Sequence, residues 1–328
     1  MQWKKEEAVR LGAVLSAAAL AVSACTPGAA PEDYPSGPIE IVVPWAAGGS
    51  SDVLVRAFAA PLEEALGESV LVVNRPGGGS AVGAAEAATA DADGYTLLHS
   101  TASTFITVPL RQEVSYAAED FRSVISLGDQ PIVLVADADT GWESLEDVTF
   151  DGTATIATTS VGNVLHLVAS NFVDEAGGAS DYLPFDGSNE TTLAVANGDA
   201  DFAGVEANIA LPQIEAGEVV PLAVATTERL DELPEVPTFE EQGFERSHGR
   251  YSRVALSVPA ETPDEVVAAI AQAGEQAREA ESWREYAQST LLQEPQYLGE
   301  DFLLQYVPDD MEWTRESFGP AGVAEGAG

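Results

Sequence analysis

Residues 39–66 read I-E-I-V-V-P-W-A-A-G-G-S-S-D-V-L-V-R-A-F-A-A-P-L-E-E-A-L, and this stretch decides the fold. Ile39, Ile41, Val42 and Val43 form a short β-branched run, the composition of a buried strand. Pro44 ends it, having no N–H for the ladder. Residues 46–49 carry a methyl group or nothing, so their backbone is open to whatever lies above. Ser50 or Ser51 is expected to cap a helix, and Asp52 falls in its first turn, where a negative charge is favoured. A strand, a bare loop and a helix start together present free N–H groups at a cleft edge, an arrangement that suits an anion, carboxylate or phosphate alike. On these residues alone, an ordinary βα turn of small side chains is the simpler reading.

The chain on either side repeats the strand-to-helix pattern. Residues 70–73 predict a second strand, followed by N-R-P-G-G-G-S and an Ala-rich helix over 82–90. The spacing of Gly77, Gly79 and Gly83 is superficially that of a dinucleotide loop. Arg75-Pro76 intervenes, however, and no acidic residue follows a next strand at the required distance. Residues 95–98 predict a third strand, leaving into S-T-A-S-T at 100–104, whose hydroxyls and N–H groups can grip carboxylate oxygens without carrying charge. Like the first loop it lies at the C-terminal end of a strand, where open α/β sheets bind their ligands.

Further strands are expected at 132–135, 154–157, 182–185, 221–225 and 250–258. After 154–157, Ser160 is expected to cap a helix with Leu165, Val168 and Phe172 as its core stripe and Gly177 as its stop. His166 on that helix reads as a packed or surface histidine. Glu206 follows G-D-A-D-F-A-G-V and either contacts a polar ligand group or faces solvent. Thr262-Pro263-Asp264-Glu265 predicts a helix start with Thr as cap and Pro at the first position. Helices over 282–292 and 301–316 complete a C-terminal layer, and 321–328 reads as a frayed tail. Parallel βαβ units interrupted by an inserted βα module imply two α/β domains, at 34–131 plus 255–328 and at 132–254, with two crossing segments as a hinge.

Residues 1–24 read as an export signal rather than as fold. Lys4, Lys5 and Arg10 give a basic start, partly offset by Glu6 and Glu7. The apolar stretch 11–22 falls short of the roughly 20 residues a bilayer span needs. It runs into V-S-A-C, which resembles a lipobox with Val22 in place of the usual leucine, so Cys25 is expected to become the lipidated first residue. The alternative is a secretory signal with an incidental thiol. Residues 26–33 read as a short tether.

At 328 residues, 45% of them hydrophobic, the chain can bury a large core as one or two domains. Its formal net charge is −40, and Lys4 and Lys5 are its only lysines. Such a surface repels nucleic acid and anionic headgroups. Drift in a GC-rich genome and adaptation to high salt both account for the composition.

Enzyme readings find little support. The sequence has no G-x-S-x-G elbow and no H-E-x-x-H, its single cysteine falls in the lipobox, and His99, His166 and His248 lack metal-ligand spacing. No cofactor, no metal and no catalytic residue are expected. An ATPase motif is absent too.

P-W-A-A-G-G-S-S-D at 44–52 resembles the first ligand loop of the tripartite tricarboxylate transporter substrate-binding proteins, also called Bug receptors. V-V-N-R-P-G-G-G-S-A-V-G at 72–83, D-G-Y-T-L-L at 93–98 and L-P-E-V-P-T-F-E-E-Q-G-F at 233–244 match the same family in order and spacing. The resemblance covers about residues 34–263 and implies a bilobed, type II periplasmic-binding-protein-like fold that closes on its ligand. It implies capture of a small carboxylate outside the membrane for a secondary transporter, with a large and a small integral membrane subunit as partners. The binding protein is expected to be a lipid-anchored monomer on the outer face of the cell membrane. A lipoprotein that presents its ligand to a membrane sensor kinase is the alternative.

Carried over onto matching positions, the resemblance implies ligand contacts from Trp45, Ala46, Ala47, Gly48, Gly49 and Asp52, and from Ser100, Thr101, Ser103 and Thr104. The second domain is expected to add Ser160, Gly162 and Asn163, the turn at Asp186 and Gly187, and Glu206. His166 holds the family's histidine position in the segment around Gly162. Asp186 departs from the family's usual lysine, which removes a cation beside the cleft, and Glu206 stands where an aspartate is frequent. Family members take citrate-like acids, other dicarboxylates, acidic amino acids and aromatic carboxylates.

The charge generates a prediction. A net −40 destabilises the compact state through self-repulsion at low ionic strength. The melting temperature should rise as sodium chloride is taken toward about 1 M, where the Debye length is about 3 Å. A flat salt profile would favour compositional drift over adaptation.

Overall fold

The computed structural model describes residues 34–185 and 187–325. Its strands in chain order are β1 (Ile39–Val43), β2 (Val70–Asn74), β3 (Thr96–Thr101), β4 (Phe121–Asp137) and β5 (Thr153–Thr158), then β6 (Ala179–Pro184), β7 (Phe202–Glu206), β8 (Val219–Val224) and β9 (Tyr251–Pro259). β1 is apolar except at Glu40 because it pairs in parallel with β2 and β3 and is covered on both faces. β9 continues this first sheet antiparallel to β3, and β4 follows antiparallel to β9. β4 then runs on into a second sheet, where it pairs with β7 and β8, while β5 lies parallel to β6 and β7. The order is β2-β1-β3-β9-β4-β7-β5-β6, with β8 also on β4. Two α/β lobes therefore share one strand, and the described residues from Pro35 onward form one compact unit.

The sequence marks only the end of β4, residues 132–135, because Gly128 and Pro131 read as breakers. Both are accommodated. The β4–β9 register shifts twice before Val254 faces Gly128, and Pro131 is the last residue paired with β9. Gly128 has φ +152, and a Cβ there would lie 2.6 Å from the Leu292 side chain, so the position needs glycine twice over. Beyond Pro131, Ile132, Leu134 and Ala136 enter one core of the second lobe and Val133 and Val135 the other, the period-two alternation of a strand covered on both sides. β7 was not anticipated as a strand. Its Gly204 lies where a Cβ would be 2.2 Å from the Leu165 carbonyl oxygen, which lets the helix Val164–Glu175 press directly onto the sheet.

In the first lobe the helix Ser50–Leu66 packs against the helix Asp264–Glu279, burying Leu54, Val55, Phe58 and Leu62 on one side and Val266 and Ile270 on the other. The opposite face of that sheet, with Val42, Leu98 and Ala255, is covered by Ala84, Ala87, Phe105, Phe302 and Tyr306. The C-terminal helix runs from Val307 to Glu325, past the expected start of the tail at 321. It also touches the second lobe: the Trp313 indole donates to Arg246 O at 2.8 Å, and Asn171 donates to Ser317 Oγ at 2.9 Å.

Three expected caps are corrected. Gly49 occupies the N-cap of Ser50–Leu66, with no side-chain cap, so Ser50 and Ser51 lie inside the helix. Asn163, not Ser160, caps Val164–Glu175: its Oδ1 accepts His166 N–H at 2.9 Å. Pro263 sits at the N-cap rather than the first helical position of Asp264–Glu279, and the Thr262 hydroxyl has no partner among the described residues.

Candidate functional site

β1 and β3 are adjacent and parallel, so their C-terminal ends deliver residues 44–49 and 101–104 side by side. In the second lobe β5, β6 and β7 are parallel neighbours and deliver residues 159–163, the turn at Gly187 and Glu206 to one end. These are the strand ends where an α/β sheet presents its ligand loops.

Residues 46–49 are exposed, with Trp45 half-buried. The helix's first internal bond is from Val53 N–H to Gly49 O, so the earlier N–H groups of Ser50, Ser51 and Asp52 have no acceptor one turn back. The Asp52 side chain is directed inward, not at a ligand. It is buried, and its carboxylate accepts Gly48 N–H at 2.8 Å, Asn74 Nδ2–H at 2.9 Å and Arg56 Nε–H at 3.0 Å. Asn74 also donates to Trp45 O at 3.1 Å, and Arg56 to Asn74 Oδ1 at 3.0 Å. Burial opposes ionisation of Asp52, but the bonds from Arg56, Gly48 and Asn74 outweigh it and hold the carboxyl below its ordinary range. This closed knot keeps the bare loop in shape. Gly48 completes it with φ +83, a conformation costly for any residue with a Cβ.

The second loop divides by side. β3 extends through Thr101 and the short helix Ala102–Phe105 follows, so that Ser100 on the strand and Thr104 on the helix face the interior and are fully buried. The Thr104 hydroxyl accepts from Ser80 Oγ at 3.2 Å, and its carbonyl accepts the Tyr116 hydroxyl at 2.9 Å. Thr101 and Ser103, half-buried and joined hydroxyl to hydroxyl at 2.8 Å, remain at the edge. His99, just before, is fully buried against the Trp45 ring at 5.4 Å, and burial pushes it down to about 3, so its imidazole is neutral.

The loop 160–163 is held from both lobes. Within its own lobe, Gly162 N–H donates to His166 Nδ1 at 3.1 Å, and Asn163 Nδ2 donates to Thr159 Oγ1 at 2.9 Å. From the first lobe, Thr107 donates to Gly162 O at 2.8 Å and Arg111 to Val161 O at 3.0 Å. His166 is thus a packed histidine with a task, its ring fixing the Gly162 peptide. Glu206 is buried rather than solvent-facing. It accepts the Ser188 hydroxyl at 2.7 Å, and burial pushes its carboxyl up. Gly187 is the N-cap of Ser188–Ala196. Asp186 and Cys25 lie outside the described residues.

A hollow of about 730 Å³ opens beside Thr159 and the end of β6. Glu190 and Asp199 line it, so it repels the anions that the bare loops suit. Among the described residues no group of three or more His, Cys, Asp or Glu is placed to hold a metal ion, and no helix is long and apolar enough to cross a membrane. Asn74, Thr107 and Arg111 were not singled out from sequence. Asn74 lies within the V-V-N-R-P motif, so a signal existed; Thr107 and Arg111 carry none.

Two lobes with facing strand-end loops define the type II periplasmic-binding-protein fold, and solved structures agree. MatC from Rhodopseudomonas palustris with bound malate aligns with TM-score 0.77 at 23% identity, covering 87% of this chain and 100% of that one. A second R. palustris protein, solved with adipate, aligns with TM-score 0.76 at 25% identity, covering 90% and 98%. The chain belongs to the tripartite tricarboxylate transporter receptor family, whose model matches residues 54–314. It is 33% identical over 223 residues to Protein BugT of Bordetella pertussis, spanning 65% of this chain and 68% of that protein.

The His166 contact sets a pH dependence. Burial first, then the Arg111 charge, pushes this imidazole from 6.5 to about 4. A folded-state value below the unfolded one means that the stability is complete above about pH 6.5 and is lost as pH falls toward 4. Replacing His166 with Gln should remove up to about 1.4 kcal/mol per pH unit from the slope of unfolding free energy in that window. Urea unfolding of both proteins from pH 7 to pH 4 checks this; parallel slopes would contradict it.

Proposed function

We propose that this receptor captures a small organic acid, its carboxylate lying over residues 45–49, and delivers it to the large and small membrane subunits of a tripartite tricarboxylate-type transporter. The observation that carries the reading is the exposed loop with helix-start N–H groups, held open by a side chain, Asp52, that is itself directed inward. With no lysine after Lys5, a net charge of −40 and Arg56 engaged by Asp52, the first loop attracts an anion with neutral donors. Hydrogen bonds to a charged group contribute about 1.5–3 kcal/mol each, so a few give micromolar binding after association costs. Thr101, Ser103 and the Ser160 hydroxyl supply further donors. The structural relative solved with adipate supports a dicarboxylate-sized ligand. A lipid on Cys25 would hold the receptor at the outer face of the membrane.

A thermal-shift panel of adipate, malate, citrate, glutamate and benzoate tests the ligand class. A true ligand at 100 times its dissociation constant adds about 2.7 kcal/mol of stability. Gly48→Val should abolish that shift, because its φ of +83 is closed to valine, while circular dichroism stays native. Arg56→Ala should weaken binding as well, since Arg56 holds Asp52. Full binding by the Gly48 variant would show that the anion sits elsewhere.

Attachment has its own test. Mass spectrometry of protein extracted from membranes should find a diacylglyceryl group on Cys25 as the mature N-terminus. An unmodified thiol, or cleavage at another bond, would remove this part of the proposal.

A further inference from the structure

The helix Thr107–Arg111 begins two residues after the second ligand loop and belongs to the first lobe. Val108 on it is buried, Leu110 N–H bonds to Ile106 O, and the adjacent Gln112 side chain donates to Gly78 O at 2.6 Å. Its first and last residues, four apart, share one face. Both reach into the other lobe: the Thr107 hydroxyl to Gly162 O at 2.8 Å, and the Arg111 guanidinium to Val161 O at 3.0 Å. Two consecutive carbonyls of the loop 160–163 are therefore bonded by one helical face of the opposite lobe, and the Thr107 bond is buried.

The second lobe already shapes this loop without help. Gly162 N–H is held by His166 Nδ1, the Asn163 carboxamide caps the following helix, and the Thr158 hydroxyl donates to Ser160 O. The bonds from Thr107 and Arg111 are thus not needed to define the loop's conformation. What they define is where the loop sits relative to the first lobe. The depressed basicity of His166, which owes its second contribution to Arg111, agrees with a guanidinium lying against this loop.

We infer that Thr107 and Arg111 form a latch between the lobes, positioning residues that set the fraction of closed receptor and so its hold on the ligand. The inference rests on the proposed reading of residues 101–104 and 160–163 as ligand loops. Because Thr107 follows the first of these and its partner lies in the second, the latch joins the two halves of the site. Opening the cleft breaks both bonds together. Apparent affinity falls in proportion to the closed fraction, so weakening the latch reduces binding without removing any ligand contact.

The test uses distances between spin labels in the full chain with Cys25→Ser. Labels are attached through Glu64→Cys on Ser50–Leu66 and Glu215→Cys on Ala207–Ala216, two exposed positions in different lobes. Without ligand, Thr107→Val together with Arg111→Gln should shift the distribution toward longer separations. Thr107→Ser with Arg111→Lys should restore it, which a merely folding-related effect would not do. With whichever of adipate, malate or citrate binds wild type, the dissociation rate of the first pair should rise about 5- to 30-fold at an unchanged association rate. An unchanged distance distribution overturns the latch, and so does a changed distribution with an unchanged dissociation rate. If none of the three acids binds wild type, the ligand reading fails, and the latch is decided by the ligand-free distances.

Discussion

β4 belongs to two sheets, and the rest of the molecule depends on that. Its 17 residues pair first with β9 and then with β7 and β8, so the lobes are joined by hydrogen-bonded strands rather than by a loose linker. The crossing is fixed by charge as well as by ladder bonds. Arg253 on β9 donates to Asp129 on β4 at 3.0 Å, both buried, with the guanidinium 4.7 Å from the Tyr306 ring and 4.9 Å from the Tyr251 ring. Breaking such a pair leaves an uncompensated charge in the interior, which is why it holds so firmly.

The loops at the strand ends address an electrostatic difficulty. On the proposed reading, an acidic surface with few cations must present a site that welcomes an anion. Backbone N–H groups do this without counter-charge, provided something keeps the loop from collapsing onto itself. The knot of Asp52, Asn74, Arg56 and Gly48 does so by directing a carboxylate inward, where three donors satisfy it. Arg56, on the helix that follows the first loop, is consumed in that knot. It serves the loop's geometry, and through it the site, rather than acting as a clamp on the ligand. In the second lobe, burial keeps His166 neutral, so its Nδ1 is free to accept the Gly162 N–H.

Much of this was written in the sequence. The β-branched run at 39–43, the bare residues 46–49 and the helix after them fix a βα unit because each local preference agrees with the others. The three further motifs place the chain in its receptor family, a conclusion that the match over residues 54–314 secures. Positions whose role depends on long-range contact were not legible. Ser100 and Thr104 look like loop hydroxyls, but β3 extends three residues beyond the expected run and turns Ser100 inward, and the short helix Ala102–Phe105 that follows does the same for Thr104. Asp52 looks like a ligand contact because a first-turn acid says nothing about which way its side chain points. Ser160 looks like a cap because the true cap, Asn163, is equally suited by type, and only the loop's course decides between them.

The sequence by itself determined most of the strands and helices (though not β7 or the first part of β4), their order, and that small residues line the strand ends, since these follow from propensity, pattern and turn chemistry within a few residues. Tertiary structure decided what the polar side chains do there. The Arg56–Asn74 contact spans 18 residues, the Thr107–Gly162 contact 55 and the Arg253–Asp129 contact 124. No local rule reaches across such separations. Only the packed sheets bring those atoms to hydrogen-bonding distance, and it is that proximity that turns a threonine and an arginine of no particular sequence signal into the bond between two lobes.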